Sequence, residues 1–247
     1  MELEHWQPLH QIPAADTLLD PHHDYFPFFS ALYFKTKELY RKVPARKDGE
    51  NPFLHPLNVV RNVRKAGITD GITLCAGLLH DFIEEEVDIY KREKKIPKTG
   101  EGRAFLDQYE EKVFARFQGE VAALAEKTRI TPGNCTSLLK TVHLLTKHKR
   151  HFYYKYISAI FNCPEAALKE RALQVKLADR MHNLLCVDCF NGEERIYQCF
   201  KSLFILNNTK KFLLDLKKHD PRPMATEKLF KKCGKATYDA FLIICRQ

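Results

Sequence analysis

Apolar residues recur every three or four positions along most of this chain. A helix that packs one face against a core shows this spacing, because 3.6 residues complete one turn. Glycine, which weakens helices, occurs only 10 times in 247 residues. The pattern therefore predicts an all-α fold.

Short stretches rich in proline, glycine, aspartate and asparagine interrupt the apolar pattern and mark the predicted helix ends. The predicted helices cover about 24–42, 56–65, 71–90, 105–117, 119–129, 137–148, 193–218 and 224–243, and a further long helix starts near 163. Residues 91–104 are dominated by charge and predict a mobile loop, whereas 152–157 are predicted to continue the preceding helix after a turn. Pro221 and Pro223 separate the last two helices.

The composition, 45% hydrophobic and 29% charged, is ordinary for a globular protein. No apolar run approaches the roughly 20 residues that a membrane span needs, so we expect no membrane contact. The N-terminus lacks a basic start followed by an apolar stretch, so no signal peptide is predicted. The cysteines lie mostly in apolar surroundings, as reduced buried thiols do, and a cytoplasmic location is expected. Cys186 and Cys189 form an isolated C-x-x-C inside a predicted helix, which favours packing over a zinc or redox site.

The net charge of +9 is able to attract nucleic acid, an anionic membrane or a small polyphosphate. The basic residues form many short clusters, such as 91–98 and 147–151, rather than one stripe. This distribution is more typical of a solvated surface than of a nucleic-acid interface. Nucleic acid is therefore not the expected partner, and a homo-oligomer is left open.

The segment 78–85, Leu-Leu-His-Asp-Phe-Ile-Glu-Glu, places four metal-binding or proton-moving side chains within an otherwise apolar helical stretch. In a helix, His80 and Glu84 lie on one face and Asp81 and Glu85 on the next. Burying an adjacent His and Asp is costly unless something pairs with both, and a divalent metal does so. Taken alone, the pair is explained equally well by a hydrogen bond from the His to the Asp.

A second informative stretch is 175–184, Val-Lys-Leu-Ala-Asp-Arg-Met-His-Asn-Leu. Lys176, Asp179 and Asn183 share one helix face, and an Asp buried in mid-helix needs a partner. His55 stands at the start of the helix predicted from Pro56, beside a basic loop.

Two imidazoles and two carboxylates, from His55, His80, Asp81 and Asp179, suit one divalent first-row metal such as Mn(II), Fe(II) or Zn(II). The absence of cysteine from this set argues against a structural zinc site. It indicates a site with open positions for water and substrate oxygens.

The segments 52–56, 80–85 and 175–183 resemble the HD superfamily and, more closely, the hydrolase domain of the RelA/SpoT alarmone enzymes. The Arg-Lys-x-Gly-Glu run at 46–50 adds to this resemblance, which covers about residues 25–190. No synthetase domain fits in the remainder, so the chain looks like a small stand-alone alarmone hydrolase. Residues 1–23 are polar and contain Pro8, Pro13 and Pro21, so we expect them to form a loosely packed N-terminal arm. The resemblance implies an HD-domain helical bundle at 24–190. A C-terminal helical extension at 191–247 is expected to pack on the same domain.

The resemblance also implies one Mn(II) ion held by His55, His80, Asp81 and Asp179, other first-row metals being open. The implied reaction removes the 3′-pyrophosphate from (p)ppGpp, giving GDP or GTP and pyrophosphate, a step of the stringent response. A small-molecule nucleotide is therefore the expected partner.

Several further positions match residues that the family uses in catalysis or in nucleotide binding, or lie on the same helix face as such residues. Glu84 and Glu85 are expected to position or deprotonate the attacking water, or to hold a second cation against the pyrophosphate. The expected substrate-binding residues are Arg46, Lys47, Lys176 and Asn183. His182 also matches the family and is expected to support a ligand or to pack, rather than to bind metal. The basic stretch 147–151 is a candidate for contact with the substrate's other phosphates.

Two other functions fit the same residues. One is an HD phosphohydrolase for another nucleotide, such as NADPH, which would lose its 2′-phosphate. The other is a catalytically inactive scaffold that binds a nucleotide through its basic surface. The complete set of ligand residues disfavours the inactive scaffold.

Overall fold

A computed structural model of the chain describes residues 6–47, 49–218 and 224–245. Over these residues the structure is α-helical, with a short 3-10 helix at Val187–Cys189 and no β-strand. The α-helices are α1 (Ala15–Leu18), α2 (Phe26–Tyr40), α3 (Leu54–Lys65), α4 (Gly71–Leu79), α5 (Phe82–Glu93), α6 (Gly100–Lys127), α7 (Pro132–Leu145), α8 (Tyr153–Phe161), α9 (Ala166–Leu185), α10 (Gly192–Lys217) and α11 (Ala225–Cys245). The predicted all-α fold is confirmed.

Helix α9 is the central element, because it packs against α3, α4, α7, α8, α10 and α11. Every residue from Ala172 to Leu184 is buried. A helix buried on all sides is normally apolar throughout, yet this one carries Lys176, Asp179 and Asn183. These polar groups need partners within the protein, so α9 brings a polar site into the interior.

The prediction of one continuous helix over 71–90 is wrong, because the structure has two helices that meet at His80 and Asp81. Asp81 precedes α5 with φ −105° and ψ 2°, in the sparsely populated bridge region. An aspartate at a helix start normally caps backbone N–H groups, but the Asp81 side chain makes no capping hydrogen bond. Its carboxylate turns instead toward His80 and His55.

The predicted loop at 91–104 is shorter than expected, since α5 continues to Glu93 and α6 already begins at Gly100. The two helices predicted over 105–129 are one helix, α6, which passes through Gly119 without a break. Glycine within a helix costs about 1 kcal/mol relative to alanine. The burial of Leu106, Val113, Phe117 and Val121 along one side of α6 outweighs that cost.

Helix α7 also begins earlier than predicted, at Pro132. Proline suits the first turn of a helix, and the Thr131 side chain accepts a hydrogen bond from the backbone N–H of Asn134. After α7 the chain is non-helical over residues 146–152, so α8 is a separate helix.

The N-terminal segment is not loose over its described part, which begins at residue 6. Trp6, Leu18 and Leu19 are buried, because they pack into the main core. The hydroxyl of Tyr33 on α2 donates to the Pro13 carbonyl at 2.7 Å. The expectation of loose packing is therefore wrong for these residues, while residues 1–5 lie outside the described part.

The C-terminal helices α10 and α11 pack on each other and on α9. Gln174 of α9 donates to the Thr226 hydroxyl at 2.9 Å. The predicted break at Pro221 and Pro223 lies outside the described residues. Within the described ranges no helix is both long and apolar enough to cross a membrane. The domain boundaries at 23 and 190 stay a prediction.

Candidate metal centre and substrate cavity

Two buried histidines, His55 and His80, face each other. His55 lies in the first turn of α3, and His80 directly follows α4; their Nε2 atoms are 3.2 Å apart. The Nδ1 atom of His80 lies 2.9 Å from the Gly77 carbonyl oxygen. Because a carbonyl only accepts, Nδ1 carries a proton, so Nε2 is the nitrogen that can offer its lone pair to a cation between the two rings.

The second nitrogen of His55 has a partner on α9. Its Nδ1 lies 2.9 Å from Nδ1 of His182, which is fully buried and places its Nε2 4.0 Å from Sγ of Cys186. Burial, with His55 and Arg46 nearby, lowers the pKa of His182 well below its usual value. A neutral His182 that accepts at Nδ1 leaves the Nε2 lone pair of His55 directed at the centre. Cys186 follows α9, and Cys189 ends the 3-10 helix, so the C-x-x-C does not lie within one helix as predicted.

Two carboxylates complete this group. Oδ2 of Asp81 lies 3.1 Å from Nε2 of His80 and 3.4 Å from Nε2 of His55. Oδ1 of Asp179 also lies 3.4 Å from Nε2 of His55. The structure thus brings together all four residues that the sequence suggested as metal ligands.

Both carboxylates are ionised in this arrangement. Burial alone would raise the pKa of Asp179, but Lys176 and Arg180 outweigh it and hold the pKa well below its usual range. Burial likewise opposes ionisation of Asp81, yet His80 and His55 lower its pKa well below the usual value. For His80, burial lowers the pKa, but the Asp81 carboxylate raises it above normal.

The donor set fits a divalent cation. Two imidazole lone pairs and two carboxylates that converge repel one another unless a positive charge lies between them. Ligand atoms of His55, His80 and Asp179 all lie within 4.8 Å of one another, so these residues can hold a metal ion. Together with Asp81, whose Oδ2 approaches both imidazoles, they would form an N2O2 set, which is typical of a borderline first-row metal. The remaining Asp179 oxygen, Oδ2, is balanced by Nζ of Lys176 at 2.7 Å.

The acidic pair lies in the first turn of α5, and its two members are not equivalent. Glu84 lines the cavity described below, whereas Glu85 is not among the residues that line it. Oε1 of Glu84 accepts a hydrogen bond of 2.6 Å from the backbone N–H of Lys147. Burial and the Asp81 charge raise the pKa of Glu84 to about 7, and burial, Asp81 and Asp88 raise that of Glu85 to about 7.

A cavity of about 570 Å³ opens over the four candidate metal ligands, which we term the metal-binding group: His55, His80, Asp81 and Asp179. Of the predicted substrate residues, Arg46, Lys176 and Asn183 line it. The Arg46 guanidinium donates to Oδ1 of Asn183 at 3.1 Å, and the Asn183 amide donates to Oδ1 of Asp179 at 2.6 Å. A chain of hydrogen bonds therefore links the predicted nucleotide-binding loop to a candidate metal ligand.

Lys47 does not join this group. Its ammonium pairs with the Glu194 carboxylate of α10 and lies 5.5 Å from the centre of the Phe190 ring. The side chain is half exposed and is absent from the cavity lining. The side chains of Arg46 and Lys47 thus lie in different surroundings, the first in the cavity and the second at the surface beside α10.

Sequence reasoning missed part of the cavity wall, which comes from the α7–α8 loop, α8, α9 and α10. The missed lining residues are Phe152, Tyr153, Tyr156, Arg180, Tyr197 and Lys201. The spacing of Tyr197 and Lys201 by one helical turn is the signal that was available. Lys147 and His151, from the predicted basic stretch, also line the cavity.

The cavity lining contains more basic than acidic residues: Arg46, Lys147, Lys176, Arg180 and Lys201 against Asp81, Glu84 and Asp179. Nζ of Lys201 lies 4.2 Å from the centre of the Tyr197 ring and 4.9 Å from that of Tyr153. Burial, together with Arg180 and Lys176, lowers the pKa of Lys201 to about 8. The buried Nε of Arg180 has no hydrogen-bond acceptor within the described part of the chain. Cations crowded in this way favour a ligand with several negative charges.

Comparison with known proteins gives two relatives with the same printed name, probable guanosine-3′,5′-bis(diphosphate) 3′-pyrophosphohydrolase. The protein of Mycoplasma genitalium is 28% identical over 144 residues, which cover 58% of this chain and 16% of that protein. The protein of Synechocystis sp. is 28% identical over 162 residues, which cover 64% of this chain and 17% of that protein. The matched part is about a sixth of each relative's length.

No family model matches the chain. No solved structure matches it either. The metal-binding group and the two relatives together support a distant relationship to hydrolases of the kind that the relatives' names describe.

Proposed function

We propose that this protein is a metal-dependent hydrolase that removes the 3′-pyrophosphate from (p)ppGpp, giving GDP or GTP and pyrophosphate. One observation carries the proposal: the two imidazoles and two carboxylates of the metal-binding group converge beneath a cavity that five cationic side chains line. A bis-diphosphate nucleotide matches both halves of this site, because it offers phosphoryl oxygens to a metal and further charge to the cations. The names of the two relatives agree with this substrate.

His55, His80, Asp81 and Asp179 would hold one divalent ion, and we assign Mn(II) from the family resemblance. When bound, such an ion polarises a phosphoryl oxygen and lowers the pKa of a coordinated water. His182 keeps His55 in the orientation and tautomer that this role needs. Lys176 pairs with Oδ2 of Asp179, the oxygen that does not approach His55. This ion pair stabilises the negative charge of Asp179 and fixes the orientation of its carboxylate.

Glu84 is the proposed general base. With a pKa of about 7, about half of the Glu84 carboxylate is ionised at neutral pH, and the ionised form is basic enough to accept a proton from water. The Lys147 N–H fixes one oxygen, Oε1, so the other oxygen is left for the water. Glu85, in the same helical turn, supports Glu84 through its charge rather than by contact with the substrate.

The nucleotide is proposed to lie along the wall of the cavity. Arg46 suits stacking on a purine or contact with phosphate, and Asn183 offers an amide to the ribose. Lys176 lies beside the metal-binding group and suits the pyrophosphate that leaves. The cations left for the 5′-phosphates are Lys147, Arg180 and Lys201.

The removal of the 2′-phosphate of NADPH is the second candidate. The observation that favours it is the amount of aromatic surface at the cavity, including Phe152, which is 83% exposed. A dinucleotide has two rings to place against such surfaces, whereas (p)ppGpp has one purine.

The test is a product assay on the purified protein loaded with Mn(II). (p)ppGpp and NADPH are incubated separately, and the nucleotide products, pyrophosphate and phosphate are identified by anion-exchange chromatography and ³¹P NMR. Pyrophosphate and GDP or GTP are expected from (p)ppGpp. Asp179→Ala is the blank, and Asp188→Ala, a change of an exposed aspartate, is the matched control that keeps activity. Phosphate from NADPH, with (p)ppGpp intact, would replace the first candidate with the second.

A further inference from the structure

Glu110 is a deeply buried acid outside the candidate site. Across the described ranges, the acidic residues in the buried set are Asp179 and Glu110, with 3% and 4% of their surface exposed. Asp179 belongs to the metal-binding group, whereas Glu110 lies on α6 and does not line the substrate cavity. A buried carboxylate is expensive unless it is paired and hydrogen-bonded, so the partners of Glu110 indicate what it does.

Both oxygens of Glu110 bind the α7–α8 loop, residues 146–152. Oε1 pairs with Nδ1 of His148, and Oε2 accepts the backbone N–H of Lys149 at 3.2 Å. The loop has no regular secondary structure of its own. Glu110 therefore replaces the helical hydrogen bonds that this stretch lacks.

The same loop supplies groups to the substrate cavity. Lys147, His151 and Phe152 line it, and the Lys147 backbone N–H binds the proposed general base, Glu84. The contacts from Lys147 and Lys149 are only two residues apart, so fixing one restricts the other. A third contact, from the Lys149 ammonium to Oδ1 of Asp88 at 2.8 Å, fastens the loop to α5.

We propose that Glu110 is a positioning residue for substrate binding, which holds the α7–α8 loop so that Lys147, His151 and Phe152 face the cavity. The proposal rests on the proposed function for its activity readout. It goes beyond that function because Glu110 touches neither the metal-binding group nor the cavity. A purely structural buried pair would instead stabilise the fold without favouring ligand binding.

The first test compares Glu110→Ala, Glu110→Gln and Glu111→Ala in the Mn(II)-loaded protein. Glu111 is the next residue on α6 and is exposed, so it is the matched control. Glu110→Ala is expected to raise KM for (p)ppGpp by about 10-fold, with a smaller fall in kcat and an unchanged metal content. Glu110→Gln keeps an oxygen for Lys149 N–H and an amide for His148, so most of the affinity should return. Loss of metal together with kcat, or an unchanged KM, would overturn the proposal.

The second test does not depend on the reaction. Hydrogen–deuterium exchange of residues 146–152 and the dissociation constant for inorganic pyrophosphate are measured on the same variants. Faster exchange in the loop and about 10-fold weaker pyrophosphate binding are expected for Glu110→Ala alone. If the unaltered protein cleaves no nucleotide, the proposed function fails while these two measurements still decide the role of Glu110. Unchanged exchange, or unchanged pyrophosphate affinity despite a loosened loop, would overturn it.

Discussion

The candidate site has a floor and a wall that differ in how the sequence encodes them. The floor, His55, His80, Asp81 and Asp179, comes from α3, the α4–α5 junction and α9. The wall, represented by Lys147, Phe152, Tyr197 and Lys201, comes from the α7–α8 loop and α10 and is more exposed. The floor residues are polar groups, buried or half-buried, that lie close together, so each stands out in the sequence as a polar residue within a short apolar stretch. Wall residues are marked only weakly in the sequence, as by the one-turn spacing of Tyr197 and Lys201.

The largest effect is expected on the floor. Asp179→Ala should remove the metal and lower kcat/KM by at least about 10³-fold, because the loss of several kcal/mol of metal-dependent stabilisation corresponds to that factor. Metal content by mass spectrometry, measured with kcat/KM, checks this. Because the substitution also leaves Lys176 buried without its partner, Asp179→Asn should be tested in parallel. A full metal complement in both variants would refute the four-ligand floor.

A change at Glu84 should separate chemistry from metal binding. Glu84→Gln is expected to lower kcat by about 10²-fold while the metal stays bound. The base must be ionised, and its pKa in the ligand-free protein is raised to about 7, so kcat/KM of the unaltered protein should rise as pH increases through about 7 and then level. The Glu84→Gln variant should not show this rise in kcat/KM near pH 7. Glu86→Gln is the control on the same helix, because Glu86 pairs with Arg116 instead; an equal loss there would remove the special role of Glu84.

His182 tests whether the floor depends on a residue behind it. His182→Ala should weaken metal binding by about 10- to 100-fold, since His55 loses the partner that fixes its ring. A competition assay with a metal-sensitive chelator measures the dissociation constant. Unchanged affinity would mean that His55 is held by packing alone.

The smallest effects are expected on the wall, where Lys201 and Lys47 form a matched pair. Lys201→Ala should raise KM by about 10-fold with little change in kcat, because one charge-assisted contact to phosphate is lost. Lys47→Ala should change KM by less than about 2-fold, because its ammonium makes a half-exposed pair with Glu194. Steady-state kinetics on both variants measures the two changes in KM. A larger increase in KM for Lys47→Ala than for Lys201→Ala would mean that Lys47, rather than Lys201, contacts the substrate.

Helix periodicity was sufficient for the fold class, because burial of one helix face requires it. It did not reveal the break at His80 and Asp81, since the apolar run continues across both residues and only the geometry of the site interrupts the helix. The long α6 was missed for the opposite reason: tertiary packing carries the helix through Gly119.

The floor residues were predictable because short runs of unusual polarity in apolar helices mark them. Tyr197 and Lys201 lie on α10, whose apolar residues are not concentrated on one face, so their place in the cavity depends on how α10 meets α9. The position of Lys47 depends on Glu194, 147 residues further along the chain. A contact between residues so far apart in the sequence cannot be predicted from the residues next to either of them.

The crowding around Lys201 has a thermodynamic consequence for ligand binding. A lysine with a pKa of about 8 is partly deprotonated in mildly alkaline solution. A polyanion that enters the cavity favours the charged form and raises that pKa, so binding draws a proton from the solvent. The heat of binding will then vary with the ionisation enthalpy of the buffer, and affinity will weaken as the solution becomes more alkaline than pH 8.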